Sequence, residues 1–203
     1  QKFEVVACKF DEVPASVEAS ISAGGHLAGN RIGFDAGGSD RKVSAVVNGE
    51  VIHSEEVVWF PKTNSDPEYH YQGILDSFRR AAEKMPSVDA IGVSSAGIYI
   101  DNEVRVASLF IKVPQDEFDA KVVDMYIRAA KEYGDVPLTV ANDGDVTALA
   151  GSMSLKSGQV LGIAMGTSEA AGYVNKDGNL NGWLSELAFV PVDYNKGAMV
   201  DEW

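Results

Sequence analysis

The order of strand and helix patterns limits the fold of this chain more than any other sequence feature. Three segments rich in β-branched and aromatic side chains come first, at residues 31–35, 43–47 and 51–59. Asn48-Gly49 separates the second from the third, and both residues tolerate the positive φ angles of a two-residue hairpin turn. The sequence therefore predicts an antiparallel meander of three strands.

Strand and helix patterns alternate after the meander. Apolar residues at helical spacing predict helices over residues 69–84, 117–133 and 143–150, the last of which Gly151 would close. Short apolar runs predict strands over residues 88–94, 138–141, 160–165 and 170–174, and residues 3–10 are predicted as one more short strand. This order predicts an α/β fold, a mixed five-stranded sheet with helices on both faces.

Charge and composition exclude several classes of partner. The formal net charge of −13 over 203 residues repels the phosphate backbone, so we expect no nucleic-acid partner for this part of the protein. No apolar run approaches the roughly 20 residues that span a bilayer, and residues 1–30 lack the basic start and apolar block of a signal peptide. The single Cys8 excludes an internal disulfide. These features predict a cytoplasmic protein with no membrane partner.

The first stretch with candidate chemistry joins the first two predicted strands and reads Asp35-Ala36-Gly37-Gly38-Ser39. One interpretation is a plain hairpin with two glycines at its tip. The other is a phosphate-binding turn, because glycines let backbone N–H groups approach an anion and Ser39 adds a hydroxyl donor. Asp35 would then hold Mg²⁺ through water, and the ion would bridge to the phosphates.

A second candidate lies where a predicted strand meets a predicted helix, at Asn142-Asp143. In the structural interpretation Asn142 caps the helix, while Asp143 and Asp145 suit the helix dipole. In the functional interpretation this strand end carries a ligand site, as strand carboxyl ends do in open α/β sheets. Asp143 would then be a general base that accepts a proton from a substrate hydroxyl. Both interpretations remain open at this point.

Two further stretches follow in the last quarter of the chain. Gly166-Thr167-Ser168 again lies between two predicted strands and offers N–H and O–H donors to an anion. Glu186 lies among apolar neighbours, either on a helix face or in a site. Two glycine-hydroxyl turns on either side of an Asn-Asp pair match a phosphoryl-transfer site with two phosphate clamps and one base.

These motifs together resemble the ROK family of sugar kinases and sugar-responsive repressors, within the superfamily that includes acetate kinase and actin. The resemblance runs over residues 31–188. Asp35 to Ser39 resembles the first phosphate motif, usually Asp-x-Gly-Gly-Thr, and Gly166-Thr167 resembles the second. Asn142-Asp143 resembles the motif that supplies the family's base, and the segment with Glu186 resembles one that contacts the sugar.

The resemblance implies an ATP-dependent phosphorylation of a sugar hydroxyl, with ATP and Mg²⁺ as cofactors. Asp143 would be the catalytic base, and the sugar would be positioned by Gly97, Asn142 and Glu186. Asp35 would hold Mg²⁺ through water. The phosphates would be bound by Asp35, Gly37, Gly38, Ser39, Gly166 and Thr167.

The resemblance also implies a ribonuclease H-like, actin-like ATPase architecture with two domains. Residues 1–30 would be an N-terminal segment, 31–155 the first domain, and 156–203 the beginning of a second, incomplete domain. We therefore expect a fragment that is inactive alone. Homodimers are common in the family, although no interface is evident in the sequence.

Three departures from the family pattern keep a second function open. Ser168 and Glu169 follow Thr167 where the family has glycines, and a carboxylate near a γ-phosphate is repulsive. After Glu186 the usual Ile-Gly-His is missing, and that histidine often also serves a structural zinc, so zinc is not expected. Ser108 falls near a usual sugar-binding asparagine. The alternative is a non-catalytic sugar sensor or the effector domain of a transcriptional regulator.

Overall fold

The computed structural model describes residues 5–15, 20–165, 169–183, 187, 193 and 195–199. Nine strands lie in these ranges: β1 Asn30–Ala36, β2 Asp40–Val47, β3 Glu50–Val58, β4 Ala90–Ser95, β5 Ile98–Ile100, β6 Glu103–Val106, β7 Leu138–Asn142, β8 Val160–Met165 and β9 Glu169–Val174. The α-helices are α1 Pro67–Ala82, α2 Gln115–Lys121, α3 Met125–Lys131 and α4 Asp143–Leu155. Short 3₁₀ turns occupy Phe10–Glu12, Pro61–Thr63 and Ser108–Phe110.

The main sheet has five strands in the order β3-β2-β1-β4-β7. The pairs β3–β2 and β2–β1 are antiparallel, whereas β1–β4 and β4–β7 are parallel. Asn48 and Gly49 have φ angles of 50° and 84° in the turn between β2 and β3, as the predicted hairpin requires. The prediction of a mixed five-stranded sheet in an α/β fold is therefore confirmed.

One face of this sheet packs against α1 and α3 and forms the main hydrophobic core. Phe34 of β1 and Phe78 of α1 meet edge to face, with ring centroids 5.4 Å apart. Helix α1 begins at Pro67 because the Asp66 side chain accepts a hydrogen bond from the Glu68 N–H at 2.9 Å. The cap and the packing of the buried face of α1, which includes Phe78, together orient α1 across the strands.

The opposite face of the sheet borders a cavity of about 780 Å³. Gly33 of β1 and Gly92 of β4 are register partners on this face, and a Cβ atom on Gly33 would meet nothing within 4 Å. Residues 22–27 and α4 form the other walls of the cavity. Helices α1 and α4 therefore lie on opposite sides of the sheet, as the sequence predicted.

Helix α4 packs closely on the β8–β9 pair through glycines. A Cβ atom on Gly162 would lie 2.3 Å from the Ala148 nitrogen, and one on Gly172 would lie 2.3 Å from the Asp145 Cα. The small core at this contact contains Ala148, Leu149, Val174 and Leu180. Among the described residues, no helix is both long enough and apolar enough to span a membrane.

The prediction of one helix over residues 117–133 is wrong, because α2 and α3 are separate helices. The carbonyl oxygen of Val123 accepts a hydrogen bond from the Val104 N–H of β6 at 2.9 Å. This bond to β6 lies at the break, where residues 122–124 form a turn between the two helices. The β5–β6 hairpin that supplies this bond was not predicted either.

Two other predicted elements differ from the structure. Helix α4 continues through Gly151 to Leu155 and is capped by Lys156 in a left-handed conformation, with φ at 52°. Gly151 instead packs on Val160, with only 3.3 Å between a Cβ atom built on the glycine and the valine Cγ1. Residues 5–9 are not a strand, and Phe10–Glu12 is a 3₁₀ turn. Within the described residues no strand pairs with this segment, so its backbone has no ladder to join.

Candidate phosphate and sugar site

The carboxyl ends of three parallel strands bring most of the described candidate residues to one edge of the sheet. Asp35 of β1 is level with Ser94 of β4, and Ser94 is level with Ala141 of β7. Asn142 and Asp143 follow directly as the end of β7 and the start of α4. The predicted phosphate turn and the predicted base thus lie at the same sheet edge, where open α/β sheets bind ligands.

The turn at residues 37–39 joins β1 to β2, and Ala36 pairs with Arg41 across it. The hairpin interpretation is therefore correct in geometry, whereas phosphate binding by Gly37, Gly38 and Ser39 stays a prediction. The buried Trp59 fixes the turn, since its indole N–H donates to the Gly37 carbonyl at 2.8 Å and its backbone N–H donates to the Ser39 carbonyl at 3.1 Å.

Trp59 stabilises the turn at residues 37–39, and sequence reasoning did not select it. A Cβ atom on Gly37 would lie 2.7 Å from the Asp40 carbonyl oxygen, so the turn is too tight for any other residue at that position. The only available sequence signal was the tryptophan at the end of a strand that leads back toward the turn.

Lys42 is a second residue that the sequence analysis did not select. It faces Asp35 across the β1–β2 pair, and its Nζ lies 2.5 Å from Asp40 Oδ1. The hydrogen bond from Lys42 holds the pKa of the Asp40 carboxyl below its usual range, assisted by the Ser39 hydroxyl and opposed by burial. The same bond raises the pKa of Lys42, which burial opposes. Lys42 is therefore a firmly charged ammonium group beside the predicted phosphate turn.

Asn142 connects the start of α4 with the turn that follows β4. Its Oδ1 accepts the Gly144 N–H at 2.8 Å, which is the helix cap that the structural interpretation predicted. Its Nδ2 donates to the Gly97 carbonyl at 2.8 Å. The buried amide of Asn142 thus brings together two of the residues predicted to position the sugar.

Gly97 has a conformation that other residues rarely adopt, with φ at 132°. A Cβ atom at this position would lie 2.3 Å from the Val106 carbonyl oxygen and 2.8 Å from the Ala107 Cβ. The glycine is therefore required for the β4–β5 turn to approach the end of β6.

Asp143 is the first residue of α4 and is partly buried. Its Oδ1 lies 3.1 Å from the Gly144 N–H, and its backbone carbonyl accepts the Thr147 hydroxyl at 2.8 Å. The peptide dipoles at a helix start favour the charged carboxylate. The backbone of Asp143 is thus fixed at the start of α4, where a carboxylate suits the helix dipole.

Three hydroxyl groups form a cluster at the same sheet edge. The Ser95 hydroxyl donates to the Ala36 carbonyl at 3.3 Å, and the Tyr99 hydroxyl donates to the Ala96 carbonyl at 3.1 Å. Within the part of the chain that the structure describes, the Tyr126 hydroxyl makes no hydrogen bond of normal geometry, although the hydroxyls of Ser95 and Tyr99 are close enough to affect its pKa.

Burial sets the protonation of both tyrosines in this cluster. It raises the pKa of Tyr126 to about 12, and it raises the pKa of Tyr99 well above its ordinary value. The negative charges of Asp35 and Asp143 act in the same direction, Asp35 on Tyr126 and Asp143 on Tyr99. The two tyrosine hydroxyls therefore stay neutral near these carboxylates.

Three predicted site residues lie outside the described residues, namely Gly166, Thr167 and Glu186. Strand β8 ends at Met165 and β9 begins at Glu169, and these two residues are register partners. The phosphate role of Gly166 and Thr167 and the sugar role of Glu186 stay predictions.

The described residues contain no group of three or more His, Cys, Asp or Glu side chains that could hold a metal ion. Mg²⁺ in phosphoryl-transfer enzymes needs fewer protein ligands, because one or two carboxylates and the substrate phosphates bind it together with water. Asp35, at a strand end beside the predicted phosphate turn, is a carboxylate of the kind that could hold such an ion through water.

No protein-family model matches the chain, and no curated protein matches its sequence. Solved structures do share its fold. The inorganic polyphosphate/ATP-glucomannokinase from Arthrobacter sp. strain KM is 20% identical with a TM-score of 0.61, and the match covers 81% of this chain and 65% of that one. The ROK hexokinase from Thermus thermophilus is 16% identical with a TM-score of 0.54, covering 78% of this chain and 50% of that one.

A ROK family transcriptional regulator, described as a homolog of the E. coli MLC protein, matches as well. It is 17% identical with a TM-score of 0.55, and the match covers 83% of this chain and 43% of that one. The fold is therefore the one shared by ROK sugar kinases and a ROK regulator, as the motifs predicted. This chain spans less than two thirds of the length of each of these structures.

Proposed function

We propose that this chain belongs to the ROK family and that the full-length protein transfers the γ-phosphoryl group of Mg·ATP to a sugar hydroxyl. The proposal rests on the position of Asp35, Gly97, Asn142 and Asp143 at one edge of the main sheet. The fold that brings them there is shared with ROK sugar kinases. A phosphate turn and a carboxylate base at one edge are the parts that phosphoryl transfer needs.

In this proposal Asp143 is the general base. Its charged carboxylate accepts the proton of the sugar hydroxyl as the oxygen attacks the γ-phosphorus. A positioned base of this kind contributes roughly 10² to 10⁴ in rate. Asn142 acts mainly by fixing the geometry, since its amide holds both the start of α4 and the Gly97 turn.

At the phosphate end, Gly37, Gly38 and Ser39 supply backbone N–H groups and a hydroxyl to the nucleotide. Asp35 binds the water shell of the magnesium ion that accompanies ATP. The ion neutralises charge on the phosphates when it is bound. Gly166 and Thr167 supply the second phosphate clamp, and Glu186 contacts the sugar.

We also propose the division into domains that the sequence resemblance implies. Residues 31–155 form the first domain of the kinase, and residues 156–203 begin the second. The nucleotide of such a kinase binds between two domains. A reaction that consumes ATP suits a cytoplasmic enzyme.

The alternative is a sugar sensor that retains the fold without the reaction. It is supported by the likeness to the ROK regulator and by Glu169, an exposed carboxylate at the start of β9 next to the second phosphate motif. In a sensor the same pocket would bind sugar, and no phosphoryl group would move.

One experiment separates these two functions. The full-length protein is mixed with Mg·ATP and a panel of hexoses, amino sugars and polyols, and both ADP release and thermal stability are measured. The kinase proposal predicts that one class of sugar stimulates ADP release. Sugar-dependent thermal stabilisation without ADP release would contradict it and support the sensor.

A further inference from the structure

We propose that the carboxylate of Asp40 occupies the anion site of the phosphate turn, and that Lys42 is an additional phosphate-binding residue that stays paired with Asp40 until a phosphate binds. A bound phosphate would displace Asp40 and receive the hydrogen bonds of Ser39 and Lys42. The inference rests on the proposed function, because it assumes that this turn takes a nucleotide phosphate.

Both carboxylate oxygens of Asp40 already accept bonds from donors of the turn. The Ser39 hydroxyl donates to Oδ2 at 3.1 Å, and Lys42 Nζ donates to Oδ1 at 2.5 Å. The carboxylate also lies against the glycine of the turn, since a Cβ atom on Gly37 would be 3.3 Å from Oδ1. Carboxylate and phosphate oxygens accept the same kinds of hydrogen bond, so Asp40 fills the position that a phosphate requires.

Lys42 lies where it could reach a phosphate bound at the turn. It is the register partner of Asp35, and both side chains line the large cavity beside the sheet. Its side chain is 48% exposed, and among the described residues it forms ion pairs with Asp40 and, at 4.0 Å, with Glu56. A flexible four-carbon stem lets the ammonium turn toward a new anion without movement of the strand.

The exchange of partners costs little because the existing ion pair is exposed. Pairs of this kind contribute little to stability, and solvent and salt screen them. A phosphate group carries more charge than a carboxylate and accepts more hydrogen bonds. A nucleotide phosphate should therefore displace Asp40, although with lower affinity than if the two donors were unoccupied.

The test is a calorimetric titration of the full-length protein with Mg²⁺ and inorganic tripolyphosphate. The variants are Asp40→Asn, Lys42→Met, Lys42→Arg and the double variant Asp40→Asn/Lys42→Met. Glu50→Gln is the matched charge control, since Glu50 lies at the opposite end of the β2–β3 ladder. Gly37→Ala tests the turn itself. Thermal unfolding confirms that each variant is folded.

Asp40→Asn is expected to tighten binding by about tenfold, and Lys42→Met to weaken it by about tenfold, the value of one charge-assisted hydrogen bond. Lys42→Arg retains most of the binding. The gain from Asp40→Asn disappears in the double variant, because the released donor is then missing. Glu50→Gln changes affinity by less than about twofold.

Several results would overturn the inference. One is a gain from Asp40→Asn that persists in the double variant or is matched by Glu50→Gln, since this would reflect net charge alone. Another is binding that Gly37→Ala abolishes but the Asp40 and Lys42 changes leave untouched, in which case the proposed phosphate site stands and only this inference fails. If no form binds tripolyphosphate, Asp40→Asn included, both the inference and the proposed site are contradicted.

Discussion

The side-chain amide of Asn142 donates a hydrogen bond to the backbone carbonyl of Gly97 over 2.8 Å, across a sequence separation of 45 residues. The same amide caps α4 through the Gly144 N–H. One buried group thus fixes the start of the helix that carries Asp143 and the turn at the end of β4. The geometry of the proposed base depends on this connection.

The first prediction concerns the stability that Asn142 provides. Asn142→Ala is expected to lower the free energy of unfolding by about 2–3 kcal/mol, because a helix cap and a buried hydrogen bond each contribute about 1 kcal/mol or more. Asn142→Asp keeps the cap and loses the bond to Gly97, so it should lie between wild type and alanine. Urea denaturation measures both. An alanine variant within about 0.5 kcal/mol of wild type would contradict the connecting role.

The second prediction compares two glycines of the same sheet region. Gly97→Ala should destabilise the protein by about 2–4 kcal/mol, because the new Cβ would meet the Val106 carbonyl oxygen at 2.3 Å in a backbone of positive φ. Gly33→Ala adds a methyl group into open space and should change stability by less than about 0.5 kcal/mol. Thermal or urea unfolding of the two variants measures the loss of stability. Equal losses for Gly97→Ala and Gly33→Ala would disprove the tight packing of the turn at Gly97.

The third prediction concerns alkaline pH. The pKa of Tyr126 is about 12 in the folded state and about 10 when unfolded, so the unfolded chain releases this proton first. Stability is then full below pH 10 and falls by about 2–3 kcal/mol as the pH rises toward 12. Tyr126→Phe should remove this contribution to the loss of folding stability at alkaline pH. Denaturation series at pH 8, 10 and 12 measure it, and identical pH profiles for the two proteins would refute the assignment.

The fourth prediction concerns the exit of the phosphate turn. Arg41 is buried, and its guanidinium donates to Asp76 at 2.7 Å and to the Gly73 carbonyl at 2.9 Å on α1. Burial alone would raise the pKa of Asp76, but the bonds from Arg41 and Arg80 outweigh it and hold that pKa below its usual value.

Asp76→Asn should therefore cost about 1–2 kcal/mol, a value reduced for the partial exposure of Asp76. Asp124→Asn is the matched control, because it removes only an exposed i,i+4 pair with Arg128 and should cost less than about 0.5 kcal/mol. Urea denaturation of both variants measures these two costs. Equal costs for the two substitutions would show that the Arg41 contact does not anchor β2.

Local sequence signals were sufficient for much of the fold. Asn48-Gly49 predicted its hairpin because both residues accept positive φ, and the alternation of strand and helix patterns predicted a mixed sheet with helices on both faces. The break between α2 and α3 could not be predicted, since it depends on a bond between Val123 and Val104 that only the folded chain brings together. Gly151 predicted a helix end wrongly, because its contact with Val160 is also nonlocal.

The candidate site shows the same division. Asp35, Asn142 and Asp143 were predicted because strand ends and helix starts are visible in the sequence. Trp59 and Lys42 were missed, since their positions beside the phosphate turn depend on the β2–β3 and β1–β2 registers. Tyr126 was not selected from the sequence, since only the packing of α3 places its hydroxyl near Ser95.

The most direct test of the account is the turnover of Asp143→Asn beside Asp145→Asn in the full-length protein, measured as sugar-dependent ADP release from Mg·ATP. Both carboxylates lie in the first turn of α4, so the pair controls for charge and helix dipole. The account predicts that Asp143→Asn lowers kcat by roughly 10² to 10⁴, while Asp145→Asn stays within about tenfold of wild type. Near-full activity of a folded Asp143→Asn variant would contradict the assignment of Asp143 as the base.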